Sequence, residues 1–218
     1  MNKPMLRTGR LMWLGLGLTA ALLALAFLLA HLRLRSALGK PLPIYGQVSD
    51  FTLTNQNGQA VSLTDLRGHP WIADIIFTRC AGPCPQMTRQ MKELQDGLPP
   101  EGSARLVTLT TDPGFDTPPV LKAYAQSKGA DPNRWSFLTG TPKQIADLAI
   151  GSLKLTALEK KPEERVSAAD LFIHSTIFVI VDKQAQLRGV FETTGEGIEP
   201  AEVKARILAA VRRLEREQ

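Results

Sequence analysis

Cys80 and Cys84 are the only cysteines in this 218-residue chain, set four residues apart in Phe77-Thr-Arg-Cys-Ala-Gly-Pro-Cys-Pro-Gln-Met87. Two thiols at C-x-x-x-C spacing can exchange with a partner's disulfide, hold a soft metal ion, or close a structural bond. The structural bond stabilises least, because so small a loop removes little chain entropy from the unfolded state. The pair falls where an apolar run, Trp71–Phe77, meets a helix expected over about Pro85–Gln95. At a helix start the terminal amide groups favour thiolate, and Cys80 in the preceding loop can turn its sulfur to the same point. Two thiolates select copper(I) or zinc; structural zinc takes four ligands, whereas copper(I) suits three. The third would be a histidine. His31 belongs to an N-terminal apolar segment and His69 to a Gly68-His-Pro turn, which leaves His174, 90 residues after Cys84 and directly before an apolar strand. Spacing alone does not lift His174 above the bland reading, a satisfied loop or core residue.

Other residues near the pair carry two readings each. Asp74 interrupts the apolar run six residues before Cys80: a desolvated acid there would relay protons during disulfide exchange, or it is a hydrogen-bonded strand residue near a sheet edge. Asp112 and Asp116, in Thr111-Asp-Pro-x-x-Asp-Thr, look like turn and capping residues more than a catalytic carboxylate pair. Met87 and Met91 follow Cys84 at helical spacing, which fits core packing better than a thioether path for a metal. Arg79 either faces the thiol chemistry or a partner, or is a solvated charge.

The elements that must position these residues alternate between strand and helix. Phe51–Thr54 and Ala60–Leu63 flank Asn55-Gln-Asn-Gly58, a hairpin signal. Trp71–Phe77 reads as a buried strand, Arg105–Thr111 as the next, and Pro118–Ser127 as a helix opened by Asp116-Thr-Pro-Pro. Thr141-Pro142 opens another helix to about Ile150, and residues 152–172, with Lys160-Lys-Pro-Glu-Glu-Arg165, read as a surface excursion. Ser175–Val181 and Gln186–Glu192 form strands around Asp182-Lys-Gln-Ala, and Pro200–Arg216 is a closing amphipathic helix. This pattern predicts an α/β fold with a mixed sheet flanked by helices and an N-terminal β-hairpin.

Leu11–Ala30 holds 20 residues without a charge. At about 1.5 Å per residue such a helix is roughly as long as a bilayer's hydrocarbon core is thick, so it reads as a single transmembrane anchor. A cleaved signal peptide would carry a shorter apolar region ending at a small-residue cleavage site, which is poorly formed here. The resulting organisation is a cytoplasmic tip and anchor over residues 1–32, a tether over 33–49 and one domain over 50–218. Lys3, Arg7 and Arg10 before the span argue for an inside N-terminus, although Arg33, Arg35 and Lys40 follow it. Residues 1–40 hold six Lys/Arg and no Asp/Glu, leaving 20 basic against 21 acidic residues in the remainder. The excess charge thus flanks the membrane span, and nucleic acid is not an expected partner.

Four patterns in order, Phe77-Thr-Arg-Cys80-x-x-x-Cys84-Pro85, Thr111-Asp-Pro-x-x-Asp116-Thr, Trp135-Ser-Phe-Leu-Thr-Gly140 and His174-Ser175 before an apolar strand, together resemble the Sco/SenC family over roughly residues 48–216. The resemblance implies a thioredoxin-like copper-binding domain and makes Cys80, Cys84 and His174 the ligands of a copper ion. It further implies a copper metallochaperone in the inner membrane, its domain facing the periplasm, that assists assembly of the CuA centre of cytochrome c oxidase. The partners would be oxidase subunit II or another copper-receiving protein, together with a thiol reductant or copper donor. The alternative is a thiol-disulfide oxidoreductase in which Cys80 and Cys84 are a redox-active pair able to form a disulfide. Two departures stand out: Ala81 where many relatives have proline, and Ile173 where they have an acid before the histidine. Neither changes a ligand; the second bears on transfer and target.

Overall fold

A computed structural model describes residues 5–38, 41–159, 172–174 and 176–217, with side chains described over 13–30, 41–156 and 176–217. The chain divides into two units, Met1–Pro41 and Leu42–Gln218. The first is built on one helix, α1 (Met5–Leu38), whose window Trp13–Ala30 is long and apolar enough to cross a membrane. Trp13, Leu14, Leu23 and Phe27 are all exposed on it, which suits a lipid surround and no aqueous one. Residues 33–38 continue this helix.

In the second unit the apolar run expected to be buried is strand β4 (Trp71–Ile76), every residue of which is buried. It is central in an eight-stranded sheet. To one side lie β5 (Arg105–Thr110) and β6 (Trp135–Thr139), parallel to β4 and reached through helices α3 (Cys84–Gly97) and α4 (Pro118–Ser127). To the other lie β9 (Ile177–Val181), antiparallel to β4, and β10 (Gln186–Glu192), its hairpin partner. Short strands complete the edges: β1 (Gly46–Gln47) on β10, and the hairpin β2 (Thr52–Asn55) and β3 (Ala60–Ser62) on β6. That hairpin turns on Gly58 at φ +77°, and the Asn55 side-chain oxygen Oδ1 accepts the Asn57 and Gln59 backbone amides.

Two apolar layers hold the sheet. Helices α3, α4 and α6 (Pro200–Arg216) cover one face, where Ile72, Ile76, Leu106, Phe137 and Ile180 meet Met91, Leu121 and Ile207. The helical turn α2 (Leu63–Leu66), helix α5 (Pro142–Ala146) and its π-helical continuation (Asp147–Ser152) cover the other. Because both faces are covered, β4 and β9 carry near-continuous apolar runs, broken in β4 only by Asp74, whereas β5 interleaves the buried threonines Thr108 and Thr110. Strand β6 was named in the sequence only as a motif; its Trp135 and Phe137 stack at 4.9 Å inside the first layer.

The segment 152–172, expected as a surface excursion, begins inside the second apolar layer, where Ser152, Leu153 and Leu155 are buried, and only then reaches β7 (Ala157–Glu159); residues 160–171 lie outside the described residues. β7 pairs with β8 (Phe172–His174) in a separate two-stranded sheet. His174 therefore ends its own short strand, and β9 begins only at Ile177.

One buried charge cluster ties the start, middle and end of this unit. The Arg188 guanidinium donates to Asp182 Oδ2 at 2.6 Å and to the Leu42 carbonyl at 2.9 Å, and lies 3.1 Å from Glu217 Oε2. Arg188→Ala would leave Asp182 an uncompensated buried charge, so thermal or chemical unfolding of the detergent-solubilised chain should show a loss of about 3–5 kcal/mol.

Candidate functional site

Strand β4 runs directly into the cysteine loop. Phe77 is buried, its carbonyl accepts the Cys80 amide at 3.2 Å, and Cys84 becomes the first residue of α3. Pro83 and Pro85 suit this helix start, where backbone N–H groups have no intrahelical acceptor to lose. The buried residues of α3 are Cys84, Met87, Thr88, Met91 and Leu94, an i, i+3, i+4, i+7 stripe. Cys84 is thus the first member of the helix's core face, and Met87 and Met91 are packing residues in that core. Cys80 is partly exposed and its sulfur accepts the Gly82 amide at 3.3 Å.

Both residues are thiols, with no disulfide between them. A Cys80–Cys84 hydrogen bond pushes the Cys84 thiol far above its usual range, burial adds to this, and a hydrogen bond with the Phe77 backbone opposes it. The expectation that the helix start favours thiolate fails at Cys84: the neighbouring sulfur and burial outweigh the terminal amides.

The loop is clamped from the segment after β5. The Asp116 carboxylate, fully buried, accepts the Thr78 amide at 3.1 Å and the hydroxyls of Thr78 and Thr110. Burial raises its pKa, against those three hydrogen bonds, which lower it. Beside it Arg79 donates through Nε to Asp112 Oδ2 at 2.7 Å, and its guanidinium lies 4.5 Å from the centre of the Phe115 ring. Asp116 is therefore no cap: Thr117 holds the N-cap position of α4, and both acids grip the residues just before Cys80. Arg79, half exposed, is an ion-paired part of that grip. Turn and capping signals in the sequence hid this, because a carboxylate's long-range partner leaves no local mark.

Asp74 lies on the α3 side of β4, in a central strand and not near an edge. Its Oδ1 accepts the Thr108 hydroxyl at 2.7 Å, and Thr108 Oγ1 accepts the Trp135 indole N–H at 2.9 Å. Its negative charge also pushes the Cys84 thiol upward. Thr88 Oγ1 donates to the Cys84 carbonyl at 2.9 Å and sits 2.8 Å from the Tyr124 hydroxyl, whose pKa burial pushes up to about 12. Nothing in residue type or spacing had singled out Thr88, Thr108, Thr110 or Tyr124.

His174 closes β8 opposite Ala157. Because β9 runs antiparallel to β4, with Ala73 paired to Val179, the start of β9 lies at the end of the sheet from which the cysteine loop leaves. The backbone of His174, three residues before β9, belongs to that end; its side chain lies outside the described residues. His69, before β4, stands at the opposite end of the strand from the cysteines. Among the described residues no group of three His, Cys, Asp or Glu side chains surrounds a common point. The described donor set is two adjacent thiols, soft ligands that suit copper(I).

The sequence profile of the SCO1/SenC family matches residues 45–211. A SCO1 protein homolog of Bacillus subtilis (strain 168) is 39% identical over 141 residues, covering 64% of this chain and 70% of that protein. The structure resembles that of BsSco, a member of the Sco family of cytochrome c oxidase assembly proteins with an identified disulfide switch. The TM-score is 0.67 and the identity 32%, covering 82% of this chain and 100% of that one. It also shares its fold with copper-bound ScoI of Bradyrhizobium japonicum, at TM-score 0.62 and 24% identity over 77% of this chain and 99% of the other. The mixed sheet flanked by helices is thus the Sco form of the thioredoxin fold.

Limiting iodoacetamide should label Cys80 first and spare Cys84, buried and held protonated, until the chain unfolds; peptide mass mapping reads the order. Asp116→Ala strands three donors and should lower stability by about 3 kcal/mol. A raised carboxyl pKa gives stability that is full below its ordinary value of 3.8 and is lost as pH rises through the raised value. The stability advantage of the wild type over Asp116→Asn should therefore shrink as pH rises above the ordinary carboxyl value of 3.8 in thermal melts.

Proposed function

This chain belongs to the SCO1/SenC family, and from that premise we propose that it is a membrane-anchored copper carrier. Cys80, Cys84 and His174 hold one copper(I) ion and pass it by ligand exchange to the CuA centre of cytochrome c oxidase subunit II, or to another copper-receiving protein. The observation that carries this reading is the pair of thiols in mutual contact, one partly exposed and one fixed in the core. Copper is the cargo. Binding releases two thiol protons to water, and a sulfur–copper bond replaces the contact that holds Cys84 protonated. Because Cys84 is rigid in α3, adjustment falls to the Cys80 loop, which its partly exposed sulfur opens to an incoming ligand. The apolar window of α1 supports anchorage in the inner membrane as a single pass, with Lys3, Arg7 and Arg10 on the inner side and the domain in the periplasm. In this arrangement residues 1–32 are tip and anchor, 33–49 lead out of the membrane, and 50–218 carry the copper chemistry.

A second reading is favoured by the unequal exposure of the thiols over buried Asp74. The Cys80 thiolate attacks a partner disulfide, forming a mixed disulfide and releasing one partner thiolate. The Cys84 thiolate then attacks the Cys80 sulfur, releases the second partner thiolate and leaves a Cys80–Cys84 disulfide. Two electrons pass to the partner, and a thiol reductant resets the pair. Asp74, whose charge acts on Cys84, is placed to take part in moving the Cys84 proton.

Copper(I) titration of the reduced, detergent-solubilised full chain against a chromophoric chelator should give one ion per chain. Cys80→Ala or Cys84→Ala should abolish uptake, and His174→Ala should weaken it by about tenfold or more. Full affinity in His174→Ala overturns the three-ligand assignment. Failure of the wild type to take up copper, with turnover of a disulfide substrate that survives His174→Ala, replaces the carrier by the reductase.

A further inference from the structure

His174 sits on a strand of the small sheet, outside the eight-stranded one whose strand β4 leads into the cysteine loop. Its nearest described attachment to the main sheet on the C-terminal side is Thr176, two residues on. The position of His174 relative to Cys84 therefore depends on what holds Thr176.

Two hydrogen bonds converge there. Thr193, the residue after β10, donates its amide at 2.9 Å and its hydroxyl at 2.7 Å to the same Thr176 carbonyl oxygen. Both lone pairs of that oxygen are thereby used, which fixes it in direction as well as distance. The pairing extends the β9–β10 ladder one residue past its last register pair, Glu192 with Ile177. Thr193 is itself 1% exposed, so its hydroxyl has no exchange with water to fall back on. Its carbonyl accepts Nε2 of Gln90 at 3.1 Å. Gln90 lies on α3, six residues after Cys84. Three hydrogen bonds thus connect the cysteine helix to the residue next but one to His174.

We propose that Gln90 and Thr193 are positioning residues that set the approach of the His174 strand to the Cys80–Cys84 pair, an inference that rests on His174 being a copper ligand. The apolar core fixes α3 against the sheet, but Thr176 lies beyond the buried part of β9, where packing no longer specifies the backbone. A polar brace does so instead. Copper–ligand bonds tolerate errors of a few tenths of an ångström, so groups that only orient a ligand still tune affinity, by about 10- to 100-fold.

The test measures copper(I) affinity of the reduced full chain in detergent for Thr193→Val, Thr193→Ser and Gln90→Ala, each alone and combined with His174→Ala. Thr193→Val removes the hydroxyl bond and keeps the volume, and Thr193→Ser keeps the bond. The brace predicts a loss of about tenfold for Thr193→Val and for Gln90→Ala, recovery in Thr193→Ser, and no further loss when either is added to His174→Ala. Wild-type affinity in both Thr193→Val and Gln90→Ala, with His174→Ala still weakened, overturns the brace and leaves the ligand assignment standing. An equal loss in the His174→Ala background also overturns it, because the two residues then act on the fold at large. Wild-type affinity in His174→Ala removes the ligand and the brace together. If Thr193→Val does not fold, Gln90→Ala and its pairing with His174→Ala decide the matter.

Discussion

The contact between the Cys84 and Cys80 thiols rests on the packing of α3 against the central strands. Cys84 opens the stripe that continues through Met87, Met91 and Leu94, and the same burial that holds the helix down takes its sulfur out of water. A thiol in that position strongly resists ionisation while Cys80 is its partner. Rigidity and reactivity are thus opposed at one atom. The core supplies a sulfur in a constant place, and in the proposed function the energetic obstacle to using it would be removed when copper or a disulfide bond replaces the proton.

Cys80 needs the opposite treatment. It lies in a loop with no apolar stripe to hold it, and the structure fixes the loop by its preceding residues, Thr78 and Arg79, leaving the sulfur partly exposed. Asp116 and Asp112 do this from the segment after β5, one through a buried carboxylate with three donors and one through an ion pair laid over Phe115. Buried hydrogen bonds to a carboxylate are strong because the alternative is an unsatisfied charge. Parallel strands make this possible: β4 and β5 end at the same side of the sheet, so the loops that follow them meet.

The polar groups beneath the site form a separate layer. Trp135, Thr108 and Asp74 are hydrogen-bonded in sequence across three adjacent strands, which accommodates an acid in a core that otherwise admits apolar side chains. Its field reaches Cys84 and Tyr124, so the electrostatics of the thiol pair are set from below by the sheet as well as from the side by Cys80. The proposed metal carriage and the alternative disulfide exchange would both use these two sulfurs, and this layer acts on the proton that either would displace.

Local patterning carried much of the fold. The bounds of α4, β10 and α6 follow from proline positions, turn residues and amphipathic spacing, because these are decided within a few residues of chain. The C-x-x-x-C pair at the junction of strand and helix was equally readable, and so was the apolar span of α1. What adjoins what across the sheet was not. Asp116 on Thr78, Thr108 under Asp74 and Gln90 on Thr193 join residues up to 103 positions apart, and no local spacing encodes such pairs. The direction of the Cys84 shift is hidden from sequence for the same reason: the helix start is local, whereas burial and the neighbouring sulfur exist only once the sheet has formed. Residue types and their order thus determined which chemistry was available, and tertiary packing decided which thiol is exposed, which is held protonated and what holds them in place.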